Sequence, residues 1–206
     1  MKSIKIIFLI PVYFLFTSYV FASTLTQPQR VIENTSNEIK LILERDKELI
    51  QTNPSYVYGL VDDVLIPHVD LDRISGLVLG RDWKRATNNE KQAFKQAFKQ
   101  MLVRTYATAL TNLNDWELIH LPSRAGKNPN QTMVRTKIET DAQPIEIDYR
   151  MRDVGQGWKV YDVQIEGISL VTNYRSTFKR IIRTSGINGL ISHLMEANDK
   201  KGTENT

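Results

Sequence analysis

The sequence predicts an α+β fold, with a curved antiparallel sheet of about four strands covered by several amphipathic helices. The N-terminal half repeats apolar residues at three- and four-residue intervals, which is typical of helices with one buried face. The C-terminal half alternates apolar and polar residues, which is typical of half-buried strands. At Gly167 the pattern changes once more, from the alternation of Val163 and Ile165 to the helical spacing of Val171 and Tyr174.

The first 22 residues have the pattern of a cleaved export signal. Lys2 and Lys5 precede a largely apolar run over 6–21, and small residues precede the expected cleavage after Ala22. A retained membrane anchor is the disfavoured alternative, because Pro11 and polar breaks leave fewer than the ~20 uninterrupted apolar residues of a spanning helix. We therefore expect one domain over 23–197, with a helical N-terminal half followed by the sheet and C-terminal helices, and a polar tail over 198–206.

Composition limits the class of protein. Removing residues 1–22 leaves 184 of the 206 residues and lowers the formal charge from +4 to +2, because that segment carries two lysines and no acids. A chain of this length can build one ordinary core, whereas a nucleic-acid-binding module would usually concentrate more positive charge. The sequence has no cysteine, which excludes disulfides, thiol chemistry and cysteine metal sites.

Helices are predicted in two parts of the chain. Pro67 is expected to end the second helix, and Thr87 with Glu90 three positions later forms a capping-box signal for the long helix. The predicted helices are 29–51, 54–66, two short helices around 77–83, a long helix from the cap to 114, and final helices at 169–184 and 188–197.

Four strands are predicted over 116–121, 132–140, 145–151 and 158–166, joined by short connections that imply antiparallel pairing. If the connection before Pro144 is tight, Ile138 lies opposite Ile147 and Lys137 lies opposite Asp148, which gives one apolar and one charged face. The predicted apolar face consists of Val134, Ile138, Ile145, Ile147, Tyr149, Met151, Tyr161, Val163 and Ile165. Such a face is compatible with a closed core or with a lined cavity, and residue patterns alone leave both open.

No catalytic or metal-binding signature is present. His68, His120 and His193 are far apart and lack any ligand spacing, and neither a nucleophile elbow nor a glycine-rich phosphate loop occurs. Asp162 and Glu166 alternate with the apolar positions of their strand, so we expect them to bond to arginine or backbone outside any cavity. We predict no enzyme activity, metal or cofactor; a small-molecule isomerase or hydrolase and an envelope adaptor protein are the alternatives.

Five phrases resemble, in order, the MlaC family of periplasmic phospholipid carriers, the toluene-tolerance auxiliary proteins. These are LVLGRDWKRAT (77–87), FKQAFKQMLVRTYATAL (94–110), PIEIDYRM (144–151), WKVYDVQIEGISLVTNYRSTFKRII (158–182) and GINGLISHL (186–194). Together they cover most of 54–195. The resemblance implies an apolar cavity between the sheet and the helices, which holds lipid tails and leaves the headgroup at the opening.

The resemblance also implies which residues contact lipid. Ile168 would lie at the pocket mouth and Val171 one helical step further, while the ring of Tyr106 would line the tails with its hydroxyl near the ester region. For Val171 and Tyr106, plain core packing stays open as the alternative. The other expected lipid contacts are Leu102, Leu110, Phe98, Val134, Ile147, Tyr149, Val163, Ile165 and Tyr174.

Partners and location follow from the same resemblance. They are phospholipid as cargo, an outer-membrane lipoprotein complex, and an inner-membrane lipid-transport ABC complex with a tethered ring protein. The chain would act in the periplasm as a monomer and bind no nucleic acid.

Cations recur at four-residue spacing on two predicted helices, at Lys91, Lys95 and Lys99 and again at Arg175, Lys179 and Arg183. We favour solvated helix surfaces for both stripes. The alternative is attraction to anionic headgroups or to acidic docking surfaces.

Overall fold

The structure is a computed structural model that describes residues 25–53, 55–111, 115–123, 128–140 and 143–203. The predicted export signal lies outside the described residues. The helices are α1 (Gln27–Arg45), α2 (Lys47–Thr52), α3 (Tyr56–Val64), α4 (Leu71–Leu79), α5 (Arg81–Arg85), α6 (Asn88–Thr111) and α7 (Leu170–Thr203). The strands are β1 (Glu117–Leu121), β2 (Gln131–Glu139), β3 (Ile145–Asp153), β4 (Trp158–Ile165) and β5 (Ile168–Ser169), and a 3₁₀ turn spans Ile66–His68.

The five strands form one antiparallel sheet in the order β1-β2-β3-β4-β5. The predicted α+β class is therefore confirmed, and the four predicted strands begin and end within two residues of those observed. The short β5 was not predicted. It follows β4 through Glu166 and Gly167, whose φ angles of 49° and 75° are both positive, as in the two-residue hairpin turns that match strand twist.

The predicted register between β2 and β3 is wrong by two residues. Ile138 lies opposite Ile145 and Lys137 lies opposite Glu146, because pairing continues to the first residue of β3. Side chains alternate across a sheet with a period of two, so this shift leaves each side chain on its predicted face. The apolar and charged faces are thus correct although the partners are not.

A β-bulge removes Tyr161 from the apolar face. Arg150 pairs with Asp162 and Met151 pairs with Val160, so Tyr161 is the extra residue of β4. Its ring packs in the core cluster of α4, α6 and α7, with the Arg150 guanidinium 5.1 Å from the ring centroid. The prediction that Tyr161 lies beside Val163 is wrong, because one extra residue reverses the alternation before it.

Four rings hold α6 and α7 together, and we call them the aromatic cluster: Phe94 and Phe98 from α6, Tyr174 and Phe178 from α7. Neighbouring centroids are 5.3–5.9 Å apart, in stacked, tilted and edge-on pairs. Phe94, Phe98 and Phe178 are buried to within 3% of full enclosure. Aromatic pairs at this spacing add packing energy beyond area burial.

Helix α1 joins two other apolar clusters. Its Ile32 packs with Val134, Met151 and Val160 of the sheet, which we call the sheet cluster. Its Ile39 packs with α3 and α6, in a cluster whose other buried members are Val57, Leu60, Val61, Val64, Val103 and Ala107. Helix α1 therefore covers the part of the sheet that holds the sheet cluster.

Local signals place most helix ends. The Thr87 N–H and hydroxyl both donate to the Glu90 carboxylate at 2.8 Å, and the Glu90 N–H donates back at 3.3 Å, which confirms the predicted capping box. The predicted helix over 29–51 is divided at Asp46, which accepts hydrogen bonds from Arg45 and Tyr56. Side-chain bonds at that residue replace the continuous helix that the apolar spacing alone indicates.

Helix α7 contains the predicted break and extends past the predicted end. Gly186 has φ 68° and ψ −176°, which interrupts the helix between its two predicted parts. Beyond Ala197 the helix continues to Thr203, where a polar tail was expected. Asn198 is 4% exposed and its amide donates to the Ala97 carbonyl at 3.0 Å, so this residue belongs to the packed structure. Across the described residues, none of the helices combines the length and apolar character that crossing a bilayer requires.

Replacing Phe94 tests the aromatic cluster. Phe94→Ala removes a ring with no exposed surface, and we expect a loss of about 3–5 kcal/mol in the free energy of unfolding. The matched control is Leu41→Ala on α1, where the side chain is 67% exposed and the change should stay within about 0.5 kcal/mol. Urea denaturation followed by circular dichroism measures both. Equal losses for the two variants would contradict the assigned core.

The kink in α7 makes a second stability test. A Cβ at Gly189 would lie 2.3 Å from the Cβ of Ser185, so Gly189→Ala should destabilise by about 1–3 kcal/mol. The control is Gly59→Ala on α3, where a Cβ meets no atom within 4 Å and should stabilise by about 0.4–1 kcal/mol.

Adding Ser185→Gly to Gly189→Ala removes the opposing Cβ. The double variant should therefore be more stable than the sum of its two single changes predicts, as measured in a double-mutant cycle. Strict additivity would show that the two positions do not touch.

Candidate functional site

Burial differs from strand to strand on the apolar face of the sheet. Val134 and Met151 are 1% and 0% exposed beneath α1, and β2 stays buried along its length, with Thr136 at 0% and Ile138 at 5%. The residues of β3 and β4 that share this face near the β4–β5 hairpin are half-buried: Ile145, Ile147, Tyr149, Val163 and Ile165. Because helices that pack tightly on a sheet bury its apolar side chains, this part of β3 and β4 is not fully covered.

Tyr149 lies between the sheet cluster and the half-buried residues nearer the β4–β5 hairpin. It packs against the sheet cluster and pairs with Val134 on one side and Val163 on the other. Its side chain retains accessible surface, yet burial raises the pKa of its hydroxyl to about 12, an effect partly offset by a hydrogen bond with Thr136. The hydroxyl of Tyr149 is therefore shielded from water although part of the side chain is accessible.

A pair of tyrosines joins the helices that carry the other predicted contacts. The hydroxyl oxygens of Tyr106 on α6 and Tyr174 on α7 lie 3.3 Å apart. Burial raises the pKa of Tyr174, and the hydrogen bond to Tyr106 raises it further. Leu102 and Val171 are half-buried against the core cluster of α4, α6 and α7. This pair is a polar point within an otherwise apolar helix surface.

Ile147, Tyr149, Val163, Ile165 and Ile168 form a row of apolar side chains, which we call the apolar strip. Ile168 is its exposed end. It pairs with half-buried Ile165 across the β4–β5 turn, and 64% of its surface is accessible. A large aliphatic side chain this exposed is unusual for a position whose strand neighbours face inward. The structure thus places Ile168 at the exposed edge of the sheet.

The start of α7 is fixed to β4 by one buried carboxylate. Asp162 is 2% exposed; it accepts the Ser169 hydroxyl at 2.8 Å and the Val171 N–H at 3.2 Å, with the Arg150 guanidinium 3.7 Å away. Glu166 accepts the Glu146 N–H at 2.6 Å. Both acids are therefore bonded to arginine or backbone, as the sequence predicts, and Asp162 determines where Val171 lies relative to the sheet.

The structure divides the predicted lipid contacts into two groups. It brings Ile147, Tyr149, Val163, Ile165 and Ile168 together on the sheet and its hairpin, and Tyr106, Leu102, Val171 and Tyr174 together on α6 and α7. Three others are separate from both groups. Phe98 is 1% exposed in the aromatic cluster, and Leu110 packs with the cluster of α1, α3 and α6. Val134 is also 1% exposed, and with Pro28 and Trp158 it lines a pocket of about 370 Å³ beside α1.

Some structurally important contacts were not predicted from the sequence. His120 Nε2 on β1 lies 2.9 Å from the Glu33 carboxylate on α1, and Lys40 of α1 donates to the Trp116 carbonyl at 3.1 Å. These partners are more than 70 residues apart, and no local pattern connects them. Ser169 is different, because a serine directly before a helical repeat is a readable capping signal.

Polar groups elsewhere are paired in ways that hold the fold. Asp70 caps α4 through the Arg73 N–H at 3.0 Å and pairs with Arg152 of β3. Asp62 and Asp72 pair with Lys99 and Lys95. The described residues contain no group of three or more histidines and acids placed to hold a metal ion.

Comparison with known proteins agrees with this architecture. The toluene tolerance protein ttg2D of Pseudomonas putida is 29% identical over 162 residues, covering 77% of this chain and 74% of that protein. The intermembrane phospholipid transport system binding protein MlaC of Haemophilus influenzae is 24% identical over 177 residues, covering 84% and 82%.

A solved structure shares the fold. It is the phospholipid-binding protein from Ralstonia solanacearum, in complex with a phospholipid, and it superposes with a TM-score of 0.80 at 30% identity over 86% of this chain and 99% of that one. The family model for the MlaC protein matches residues 33–196. The resemblance seen in the sequence is thereby confirmed, and the chain belongs to the MlaC protein family.

Proposed function

We propose that this chain is a periplasmic phospholipid carrier that shuttles lipid between membrane complexes and performs no catalysis. The observation that supports it most is the accessible apolar strip from Tyr149 to Ile168, inside a fold whose relative from Ralstonia solanacearum was solved with a phospholipid. The acyl tails lie against this strip and beneath α6 and α7, and the headgroup stays at the hairpin edge.

Enclosure of both tails follows from energetics. Each methylene kept from water contributes about 0.8 kcal/mol, so two acyl chains left in water would cost on the order of 20 kcal/mol. A bilayer keeps the acyl chains from water equally well. The affinity of the carrier for lipid therefore needs to match that of the membrane rather than exceed it. Direction of transport then comes from the docking partners.

The tyrosine pair suits the ester region of the lipid. Tyr106 and Tyr174 place two hydroxyls 3.3 Å apart in an apolar surface, where they satisfy each other when no ligand is bound. An ester carbonyl that approaches can accept from one of them without leaving the other buried and unpaired. We place the glycerol ester level of the lipid here and the headgroup beyond it.

The buried carboxylates favour carriage over catalysis. Asp162 is occupied by Ser169, Val171 and Arg150, and Asp70 is occupied by α4 and Arg152. An isomerase or hydrolase needs an acid or base directed at its substrate, and these two groups are directed at the backbone and at cations instead.

The proposed partners are an outer-membrane lipoprotein complex and an inner-membrane ABC complex with a tethered ring protein. They are tested separately from lipid binding, by transfer of labelled phospholipid from the loaded carrier to each purified complex. Transfer to neither complex, from a carrier that binds lipid, would contradict the shuttle and leave the binding site intact.

The exposed residue at the edge gives the cleanest test of the lipid site. Ile168→Glu should fold normally because the side chain is 64% exposed. It should also lower the amount of phospholipid retained after purification, because a carboxylate at the mouth opposes the lipid phosphate. Native mass spectrometry measures the retained lipid as a mass increment.

The matched control is Leu41→Glu, at a side chain 67% exposed on α1. It introduces the same charge outside the strip and should leave the increment unchanged. Full lipid retention by Ile168→Glu would place the mouth elsewhere.

Filling the hollow distinguishes a cavity from a core. Ile147→Trp at a half-buried position should reduce lipid retention and change the free energy of unfolding of lipid-free protein by less than about 1 kcal/mol, since the added volume enters open space. Ile138→Trp, 5% exposed on the same face, should destabilise by about 1–3 kcal/mol through overpacking. Similar destabilisation of both variants, measured by urea unfolding after delipidation, would show that the face is packed solid.

A further inference from the structure

A pocket with a volume of about 510 Å³ lies between the α4–α5 corner and the first half of α7. Val78, Leu79 and Ile182 contribute its apolar lining. Its charged lining consists of Arg81, Arg85, Arg175, Lys179 and Arg183, with Asp82 as the one acid. None of the residues assigned above to the lipid strip lines it.

The cations of this pocket lack the ion pairs that neutralise similar cations elsewhere. On α6, Lys95 pairs with Asp72 at 2.7 Å, Lys99 pairs with Asp62 at 2.8 Å, and Lys91 lies 5.6 Å from the Trp83 ring centroid. Within the described part of the chain, no acid lies in ion-pair range of any of the five pocket cations. The two stripes that look alike in the sequence therefore differ in the fold.

Charge is concentrated at this one place. Five cations against one carboxylate leave a formal +4, which equals the formal net charge of the whole 206-residue chain. All five side chains are solvent-exposed, so water and salt screen part of their repulsion, and their gathering around a concave, partly apolar surface raises the local positive potential. A bound anion relieves that repulsion.

The backbone positions one of these side chains. Gly80 has a φ of +60°, and a Cβ at that residue would lie 3.1 Å from Nη2 of Arg175. The absence of a side chain at Gly80 thus lets the Arg175 guanidinium lie against the α4–α5 corner, in the pocket that Arg81 and Arg85 also line.

We propose that this pocket binds a phosphate group. Four of the five cations are guanidinium groups, whose paired N–H donors match phosphate oxygens. They come from two elements and converge on a volume in the range of small-ligand pockets. A compact tetrahedral anion fits that arrangement better than an acidic peptide, which spreads its charges along a row.

The phosphate has two possible sources, the headgroup of an anionic phospholipid at a membrane surface or a soluble phosphorylated molecule. The site is distinct from the proposed tail site, so it stands or falls independently of lipid carriage.

Binding of soluble phosphate is measured on the full-length mature chain by calorimetry and by NMR of the arginine side-chain N–H groups. We expect inorganic phosphate and glycerol phosphate to bind saturably and to shift the Arg175 resonance, whereas acetate at the same ionic strength does not. Arg175→Gln/Lys179→Gln/Arg183→Gln should weaken binding by about tenfold or more. The matched control, Lys91→Gln/Lys95→Gln/Lys99→Gln, removes the same charge at the same spacing on α6 and should keep it.

Vesicles identify the source. Co-sedimentation with vesicles of phosphatidylcholine plus phosphatidylglycerol, but not of phosphatidylcholine alone, that is lost in the α7 variant assigns the site to a membrane headgroup. Binding of glycerol phosphate without vesicle binding assigns it to a soluble ligand. Phospholipid retained in native mass spectrometry should be unchanged in the α7 variant, which keeps this test separate from that of the carrier.

Three outcomes would overturn the proposal: equal loss of phosphate binding in both triple variants, no difference between phosphate and acetate, or binding of polyglutamate without binding of phosphate. If circular dichroism shows that the α7 variant is unfolded, Arg81→Gln/Arg85→Gln on α5 replaces it with the same expectations.

Discussion

The packing of α6 and α7 on each other is the constraint on which the rest of the structure depends. Phe94 and Phe98 of α6 meet Phe178 and Tyr174 of α7 edge-on. These rings bury one another between the two helices. Tyr161 is the sheet's contribution to this cluster, and it reaches the cluster only because the bulge turns it away from Val160 and Val163. A single extra residue in β4 thus attaches the helix pair to the sheet without closing the face beside it.

Helix α1 connects the sheet to the other helices. Ile32 packs in the sheet cluster, and Ile39 continues the same helix into the cluster of α3 and α6. Two polar contacts fix its angle, from Glu33 to His120 and from Lys40 to the Trp116 carbonyl. Helix α1 thus covers the sheet over Val134 and Met151, whereas Ile168 at the opposite hairpin is 64% exposed.

Local chemistry was readable from the sequence, and long-range geometry was not. The cap from Thr87 to Glu90 and the break at Gly186 are properties of a few adjacent residues, and both are found where the pattern indicates. The β2–β3 register depends on where pairing stops at the turn, and no residue pattern marks that point. The bulge at Tyr161 lies within a sequence that alternates apolar and polar residues on both sides of it, so the sequence pattern does not show the extra residue. For the site, the period-two pattern gave the correct face, while burial within that face depends on which helices lie above it. Val134 and Val163 look alike in the sequence and pack in the same cluster, yet one is buried and the other half-buried.

Helix α7 contributes residues to two surfaces, the aromatic cluster and the cationic pocket between α5 and α7. Tyr174 faces the aromatic cluster, whereas its neighbour Arg175 faces Gly80 and the cationic pocket. A helix turns by about 100° per residue, so adjacent positions reach different neighbours. Asp162 holds the start of this helix on β4, and Gly186 ends its straight part. Between those two points α7 has an apolar side that packs on α6 and a cationic side that faces α5. Each surface can therefore be altered by substitution without touching the residues that line the other, which makes the two proposals separable in one protein.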